Sequence, residues 1–339
     1  MRTARAVASS LMEIDFLKMQ GCGDDVVVVD GTRLGRTVDQ MSRLARRMLN
    51  RTRGVGGTVL VVLGSASGSA LPVRCLDAEG DDRDLPCNAA RCAARYASDS
   101  GAVNANDFRI DCLNHKLHAQ IIDSANVRVD MGTPVSRDKA QEIRESLKDS
   151  FTRSMVVNGR TVTYTPISLG RSYAMVFVKD FSFPVRRTGR QIAESPEFPD
   201  GTGIGFVQVC SREELRLRTW EAPGESSADE CASAAAALVA SVVNGLADRE
   251  AFVRLKVGDL YLQWDDSDNH IWVTGPAMYV FTGTYDFAIE SSESPDSEQS
   301  DRGSGETGPQ DPASSDDPPE APQPGEPEDP DDPQARSQE

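Results

Sequence analysis

Two cysteines stand where the chain could do acid–base chemistry. Cys87 opens the run Cys87-Asn88-Ala89-Ala90-Arg91-Cys92-Ala93-Ala94-Arg95-Tyr96, and Cys231 opens the run Cys231-Ala232-Ser233-Ala234-Ala235-Ala236-Ala237-Leu238-Val239-Ala240. Alanine is the strongest helix former, so each cysteine heads a helix. The first turn of a helix leaves backbone N–H groups unpaired and carries a positive partial charge. A thiol there is pushed toward thiolate, and a nearby carboxylate or enolate is stabilised. Two such helix starts predict two similar halves facing one another across a shared site. The seven cysteines (22, 75, 87, 92, 112, 210 and 231) form no CxxC pair and no Cys/His cluster. That usage fits a reduced, cytoplasmic chain better than a disulfide framework or a zinc centre. Cys92, Cys112 and Cys210 read as packed interior residues, the commonest fate of a free cysteine. His115, His118 and His270 lack ligand spacing and read as strand or surface residues.

The elements that must position these helices are mostly strands. Strands are expected over 25–30, 57–63, 108–113, 117–122 and 127–131, and the pattern restarts with strands over 154–157, 161–165, 173–178, 205–210 and 214–218. Four more, over 252–257, 259–264, 270–275 and 278–285, close the folded region. An amphipathic helix is expected over 37–51, with Val38, Met41, Leu44, Met48 and Leu49 on one face and arginines opposite, and a charged helix over 138–148. The run from Cys231 to Val243 is too short to span a bilayer and apolar all round, so a sheet must enclose it.

Composition limits the partners. The 339 residues carry a net charge of −17, which argues against nucleic acid or an anionic membrane as partner. Most of that charge lies in residues 291–339, with 15 acidic and 2 basic residues and 10 of the 19 prolines. Such a segment reads as a disordered acidic tail, a solvated spacer or a docking arm for a basic partner. No secretory signal precedes the first strands.

Ordered along the chain, a set of short motifs resembles the diaminopimelate epimerase family, within the proline racemase-like superfamily of cofactor-independent racemases and epimerases. Met19-Gln20-Gly21-Cys22-Gly23-Asp24-Asp25 is similar to MxGxGND, Arg74 with Asp77-Ala78-Glu79-Gly80 to RxxNADG, and Val129-Asp130-Met131-Gly132-Thr133-Pro134 to VDMGxP. Ser168-Leu169-Gly170, Phe206-Val207-Gln208-Val209, Leu217-Arg218-Thr219-Trp220-Glu221 and Thr274-Gly275-Pro276-Ala277 follow in order. The resemblance implies an α/β (α+β) fold of two pseudo-symmetric domains, each a rolled, mixed or antiparallel sheet around a central helix. The expected division is an extension over 1–15, one half over 16–133 completed by a returning strand over 278–288, a second half over 134–277, and the tail over 289–339. It also implies two-base proton transfer at an amino-acid Cα, one thiolate removing a proton while the opposite thiol delivers one, with no metal or pyridoxal cofactor.

The departures fall in the implied site. The family motif CGNGxRC, matched through Asn88, Arg91 and Cys92, puts Pro86 at the catalytic cysteine and Cys87 at the next glycine. ACGTGA becomes Asp229-Glu230-Cys231-Ala232-Ser233-Ala234, with Glu230 or Cys231 at the cysteine position according to the match. The Glu-Arg pair that grips substrate becomes Glu221-Ala222, and GNPH becomes Gly170-Arg171-Ser172-Tyr173. Ala89, Ala232 and Ala234 replace glycines beside the helix starts. The catalytic candidates implied are therefore Cys87, Cys231 and Glu230, and the substrate-binding candidates Asp24, Asp77, Asn88, Arg171 and Glu221.

Three readings follow. The first is an isomerase: a divergent racemase or epimerase acting on an amino acid other than diaminopimelate, a specialised amino acid or a peptide residue. The second is a non-catalytic relative that keeps the fold for binding a partner. The third is a one-base isomerase or lyase using Cys231 or Glu230. A second copy of the chain is a further candidate partner. Sulfurs of Cys87 and Cys231 that face one another across an open cleft would favour catalysis, and sulfurs packed in separate cores would favour a scaffold.

Overall fold

The computed structural model describes residues 10–289, apart from 35–37, 114, 135–151, 158, 170, 197, 199–200 and 222–229. The expected charged helix over 138–148 and the acidic tail lie outside the described residues. Among the described residues sixteen strands, numbered along the chain from β1 (Ser10–Gly21) through β8 (Arg153–Val157) to β16 (Met278–Ile289), form one hydrogen-bonded series in the order β16-β1-β2-β3-β4-β5-β6-β7-β15-β14-β13-β12-β11-β10-β9-β8. Four α-helices accompany them among the described residues: α1 (Val38–Met48), α2 (Cys87–Asp99), α3 (Val185–Ala193) and α4 (Glu230–Val243).

The strand-pairing pattern occurs twice. In the first half β2 (Asp24–Asp30) runs parallel to β3 (Val59–Leu63), with α1 between them in sequence. β4 (Ala70–Leu76) runs parallel to β5 (Asp107–Cys112) with α2 between them. In the second half β10 (Arg171–Phe177) and β11 (Gly203–Ser211) are the parallel pair around α3, and β12 (Glu214–Trp220) and β13 (Glu250–Arg254) the pair around α4. The remaining pairings are antiparallel: β6 (His115–Ile121) and β7 (Asn126–Asp130) continue the first half, β14 (Asp259–Trp264) and β15 (Ile271–Pro276) the second, and β7 pairs with β15 to join them.

Each half is a sandwich of inner helix, sheet and outer helix, and the sequence records it. Valines run without a polar break through β2 and β3 because both faces of these strands are covered. Val26, Val28, Val59 and Val61 join the core that holds α2, while Val27, Val29, Leu60 and Val62 face Leu44, Ala45 and Met48 of α1. The second half does the same with Tyr173 and Met175 on the inner side and Ala174, Val176, Ile204 and Phe206 on the outer. Helix α2 packs on β1, β2, β3, β6 and β7, and α4 on β9 (Arg160–Leu169) through β15. Strands this far apart in the sheet order can touch one helix only if the sheet curves about it. Small side chains make the fit: Ala89, Ala90, Ala93, Ala94 and Ala97 of α2 and Ala234–Ala237 and Ala240 of α4 are buried.

Three elements were not legible in the sequence. Strand β1 (Ser10–Gly21) pairs with both β2 and β16 (Met278–Ile289), so residues from Ser10 onward belong to the sheet rather than to an extension over 1–15. A buried lysine, Lys18, interrupts its apolar pattern; it is held by Asp25 and the Gly56 carbonyl. Strand β4 carries Pro72 and Arg74 on its more exposed side, and α3 has only Ile192 as a buried apolar residue. One cysteine expectation is corrected: Cys92 and Cys112 are buried, whereas Cys210 is exposed, because the β11–β12 register shifts between Val209 and Ser211.

Asp25 ties these layers together. Its carboxylate accepts from Lys18 of β1 at 2.7 Å, from Arg51 beyond α1 at 2.8 and 2.9 Å, and from Thr58 before β3 at 2.9 Å. Burial works to raise this carboxyl, but the bonds from Arg51, Lys18 and Thr58 outweigh it and hold it at about 2 against an ordinary 3.8. The clamp is therefore complete above about pH 4 and is lost as the pH falls through 2. Asp25→Asn is expected to cost about 1–2 kcal/mol at pH 7, below the full linkage value because the group is partly exposed. Urea denaturation should show that deficit shrinking toward pH 2; a pH-independent deficit would count against the clamp.

Candidate active site

Helices α2 and α4 meet at their N-terminal ends. Cys87 is the first residue of α2, with Pro86 as its N-cap, and Cys231 is the second residue of α4. Both thiols are enclosed, at 2% and 0% exposure. They are brought together by a residue that the sequence offered only as a landmark. Arg91, one turn beyond Cys87 on the same face of α2, is fully buried and reaches both sulfurs with one nitrogen. Its Nη1 donates to Cys231 Sγ at 2.8 Å and to Cys87 Sγ at 3.4 Å. Nη2 donates to Asn88 Oδ1 at 2.6 Å, and Nε to the Pro276 carbonyl at the end of β15 at 3.2 Å. The signal available in the sequence was an arginine at the i+4 position from a cysteine in an alanine-rich helix.

Asn88 completes the cluster. Its Oδ1 also accepts from Cys231 Sγ at 2.9 Å, and its Nδ2 donates to Asp24 Oδ2 at 2.5 Å. Asp24 thus fixes the amide orientation, since the reversed amide would set oxygen against carboxylate. Bare backbone makes room for Arg91 on two sides: a Cβ at Gly21 would lie 3.3 Å from Nη2, and one at Gly275 would lie 3.3 Å from Cζ and 2.5 Å from Leu260. Cys22, in a left-handed conformation with φ 50°, is buried in the neighbouring turn. Burial opposes the charge on Arg91, but the sulfurs of Cys231, Cys87 and Cys22 more than offset it and hold its pKa above the ordinary guanidinium value.

A second charged group lies at the same end of the second half. Arg171 Nη1 pairs with Glu221 Oε2 at 2.9 Å, its Nη2 donates to the Gly201 carbonyl at 3.0 Å, and the guanidinium lies 5.8 Å from the Tyr173 ring. The far end of α4 is marked by Asn244, which bonds to Thr165 opposite Met175, near the finish of β10. The guanidinium absent at position 222 of the motif is supplied to Glu221 by Arg171 of β10, the next strand but one from β12.

The other candidates separate. Asp77 holds a turn, its carboxylate accepting from the Glu79 and Asp81 amides, and none of its hydrogen bonds reaches Cys87, Asn88, Arg91 or Cys231. Glu230 opens α4, but its side chain lies outside the described residues, as does Ala222. Ala89, Ala232 and Ala234 are buried, so the methyl groups that replace glycine fill core. The three histidines pair with Asp84, Asp107 and Asp130. Among the described residues no group of His, Cys, Asp and Glu could hold a metal ion, and no helix is long and apolar enough to cross a membrane.

Solved structures share the fold. The chain is similar in fold to a hydroxyproline epimerase from Agrobacterium vitis, with a TM-score of 0.56 at 13% identity over 82% of this chain and 92% of that one. It is equally similar to methylitaconate-delta-isomerase, with a TM-score of 0.56 at 11% identity over 84% and 99% of the two chains. Sequence narrows the assignment. The diaminopimelate epimerase family profile matches residues 165–280. The diaminopimelate epimerase of Acetivibrio thermocellus is 32% identical over 80% of this chain and 98% of its own, and that of Moorella thermoacetica 33% identical over the same shares. The chain belongs to the diaminopimelate epimerase family.

Removing Arg171 leaves the Glu221 side chain, 7% exposed, without its guanidinium. Arg171→Met is expected to lower stability by about 3 kcal/mol, and Glu221→Gln in the same chain to restore much of it. Chemical denaturation of the two single variants and the double variant measures this coupling. Additive losses would mean that the pair is not a unit.

Proposed function

We propose that this chain is a cofactor-independent amino-acid racemase or epimerase in which Cys87 and Cys231 transfer protons at Cα. The observation that carries the proposal is that sulfurs from two different helices meet on one guanidinium nitrogen within a single core, although both are enclosed rather than facing an open cleft. One sulfur, as thiolate, takes the Cα proton and becomes a thiol. The other, as thiol, gives its proton to the opposite face and becomes a thiolate. The carbanion charge spreads into the substrate carboxylate, where the first-turn N–H groups of α2 and α4 would receive it. The strand pattern supports the two-domain reading, residues 16–133 with 278–288 against 134–277, with the site where the halves meet.

The substrate in this proposal is an amino acid other than diaminopimelate, either a specialised amino acid or a residue of a peptide. Ala222 stands where the family motif has arginine, and Arg171 provides the cation beside Glu221 from another direction. Binding partners belong to the proposal as well. A second copy would pair along edge strand β16, where Met278, Tyr279, Val280 and Phe281 are exposed, and a basic partner would suit the acidic tail by charge.

The test is incubation in deuterated water with free amino acids and then short peptides, following solvent deuterium at Cα by mass spectrometry. For the true substrate, Cys87→Ser and Cys231→Ser are each expected to slow turnover to the opposite stereoisomer by at least about 100-fold, the usual scale of an acid–base group. If both variants exchange and invert like the parent chain, the two-thiol mechanism is wrong.

A further inference from the structure

Arg91 is a full positive charge in the interior, and among the described residues it makes no ion pair with a carboxylate. Its hydrogen-bond partners are two sulfurs, one amide oxygen and one backbone carbonyl. The groups that face it can be named from every side. Cys87 and Asn88 belong to its own helix, Cys231 to α4, Cys22 to the β1–β2 turn, and Pro276 to β15; Asp24 of β2 stands one amide away, behind Asn88. A buried charge without a counter-charge is costly, so the site is built to contain one anion. Asp24 is bonded to the far end of the Asn88 amide and not to the guanidinium. The anion closest to hand is a sulfur.

We propose that Arg91 is the shared counter-ion of a single thiolate, carried by either Cys87 or Cys231. That the thiolate changes hands during turnover rests on the two-thiol function proposed above; that the resting site holds one thiolate beside Arg91 does not. The geometry favours a shared ion over two independent ones, because a single nitrogen, Nη1, donates to both sulfurs. Either cysteine can then be the base without the cation having to move. The second sulfur keeps its proton, since two thiolates on one guanidinium nitrogen would repel one another at close range. Asn88 Oδ1, held by Asp24 in its acceptor orientation, gives a Cys231 proton a place to point. Arg91 is on this account a positioning and charge-balancing residue, whose effect is on the ionisation of its neighbours.

The experiment is a pH titration of thiolate absorbance near 240 nm on the full chain in a Cys210→Ser background, which removes the exposed thiol. Burial raises the Cys75, Cys92 and Cys112 thiols, which keeps them out of the neutral range. The parent is expected to show one thiolate per chain at pH 7. Cys87→Ser and Cys231→Ser should each retain one thiolate, because the remaining sulfur inherits the guanidinium, and the double serine variant should lose it. Arg91→Met should raise the midpoint so that the neutral-pH signal falls at least tenfold, and Arg91→Lys should keep it, with circular dichroism confirming the fold. Should Arg91→Met fail to fold, Arg91→Gln takes its place in the same titration, with the same fall in signal expected. No thiolate at pH 7 in the parent, a signal that survives in the double serine variant, or a signal lost in only one single variant overturns the proposal. Deuterium exchange is an independent readout: a thiolate without exchange on any amino acid sinks the proposed function and leaves this inference standing, and exchange without a thiolate does the reverse.

Discussion

The contact on which the rest of the molecule converges is the buried guanidinium of Arg91. It starts from α2, touches the first turn of α4 and ends on the last carbonyl of β15. A single side chain thereby links both inner helices and a strand beside the β7–β15 junction where the halves join. Hydrogen bonds to a charged donor are stronger than neutral ones, and the interior does not screen them as water would. The position of each sulfur relative to the other is consequently set by one rigid, planar group rather than by two helices packing independently. The glycines at 21 and 275 fit the same constraint, since each leaves the space the guanidinium fills.

Substitutions that look like losses when the motifs are read one at a time take on a different meaning in three dimensions. An aspartate at position 24 orients Asn88, which a second asparagine could do in either sense. An arginine at position 171 meets Glu221 from the next strand but one in the sheet, although the arginine that normally follows this glutamate in sequence is gone. The alanines beside the cysteines close packing around the helix starts. Together they change the polar and packing surroundings that the family motifs would give these positions.

Most of the strand pattern was legible because residues buried on both faces leave long valine-rich runs, and residues buried on one face alternate. The two inner helices were legible because alanine-rich apolar runs of that length have few other fates. What failed to read did so for physical reasons. Strand β1 hides a lysine in its apolar pattern, β4 carries proline and arginine, and α3 buries too little to show a helical stripe. At the site, the cysteines, Asp24, Asn88, Arg171 and Glu221 were reached through their place in motifs, and Asp77 was reached the same way yet holds a turn. Arg91 went unrecognised because a charge in an apolar run gives no hint of which distant residues will surround it. The Cys231 sulfur, which it holds together with that of Cys87, is 140 residues away in the sequence.

The pairing of β1 with β16 has a consequence for how the molecule is made. Strand β16 is the last of the sheet and β1 the first, aligned along nearly their whole length, with Ser10 opposite Ile289 and Gln20 opposite Met278. During synthesis the first half leaves the ribosome with one side of β1 open, and it stays so while the entire second half is translated. The second half has its own strands and inner helix in sequence before β16 appears. Vectorial synthesis thus reverses the order of completion: the half that emerges first is the last to close, and until then its open strand is the surface most in need of protection from other nascent chains.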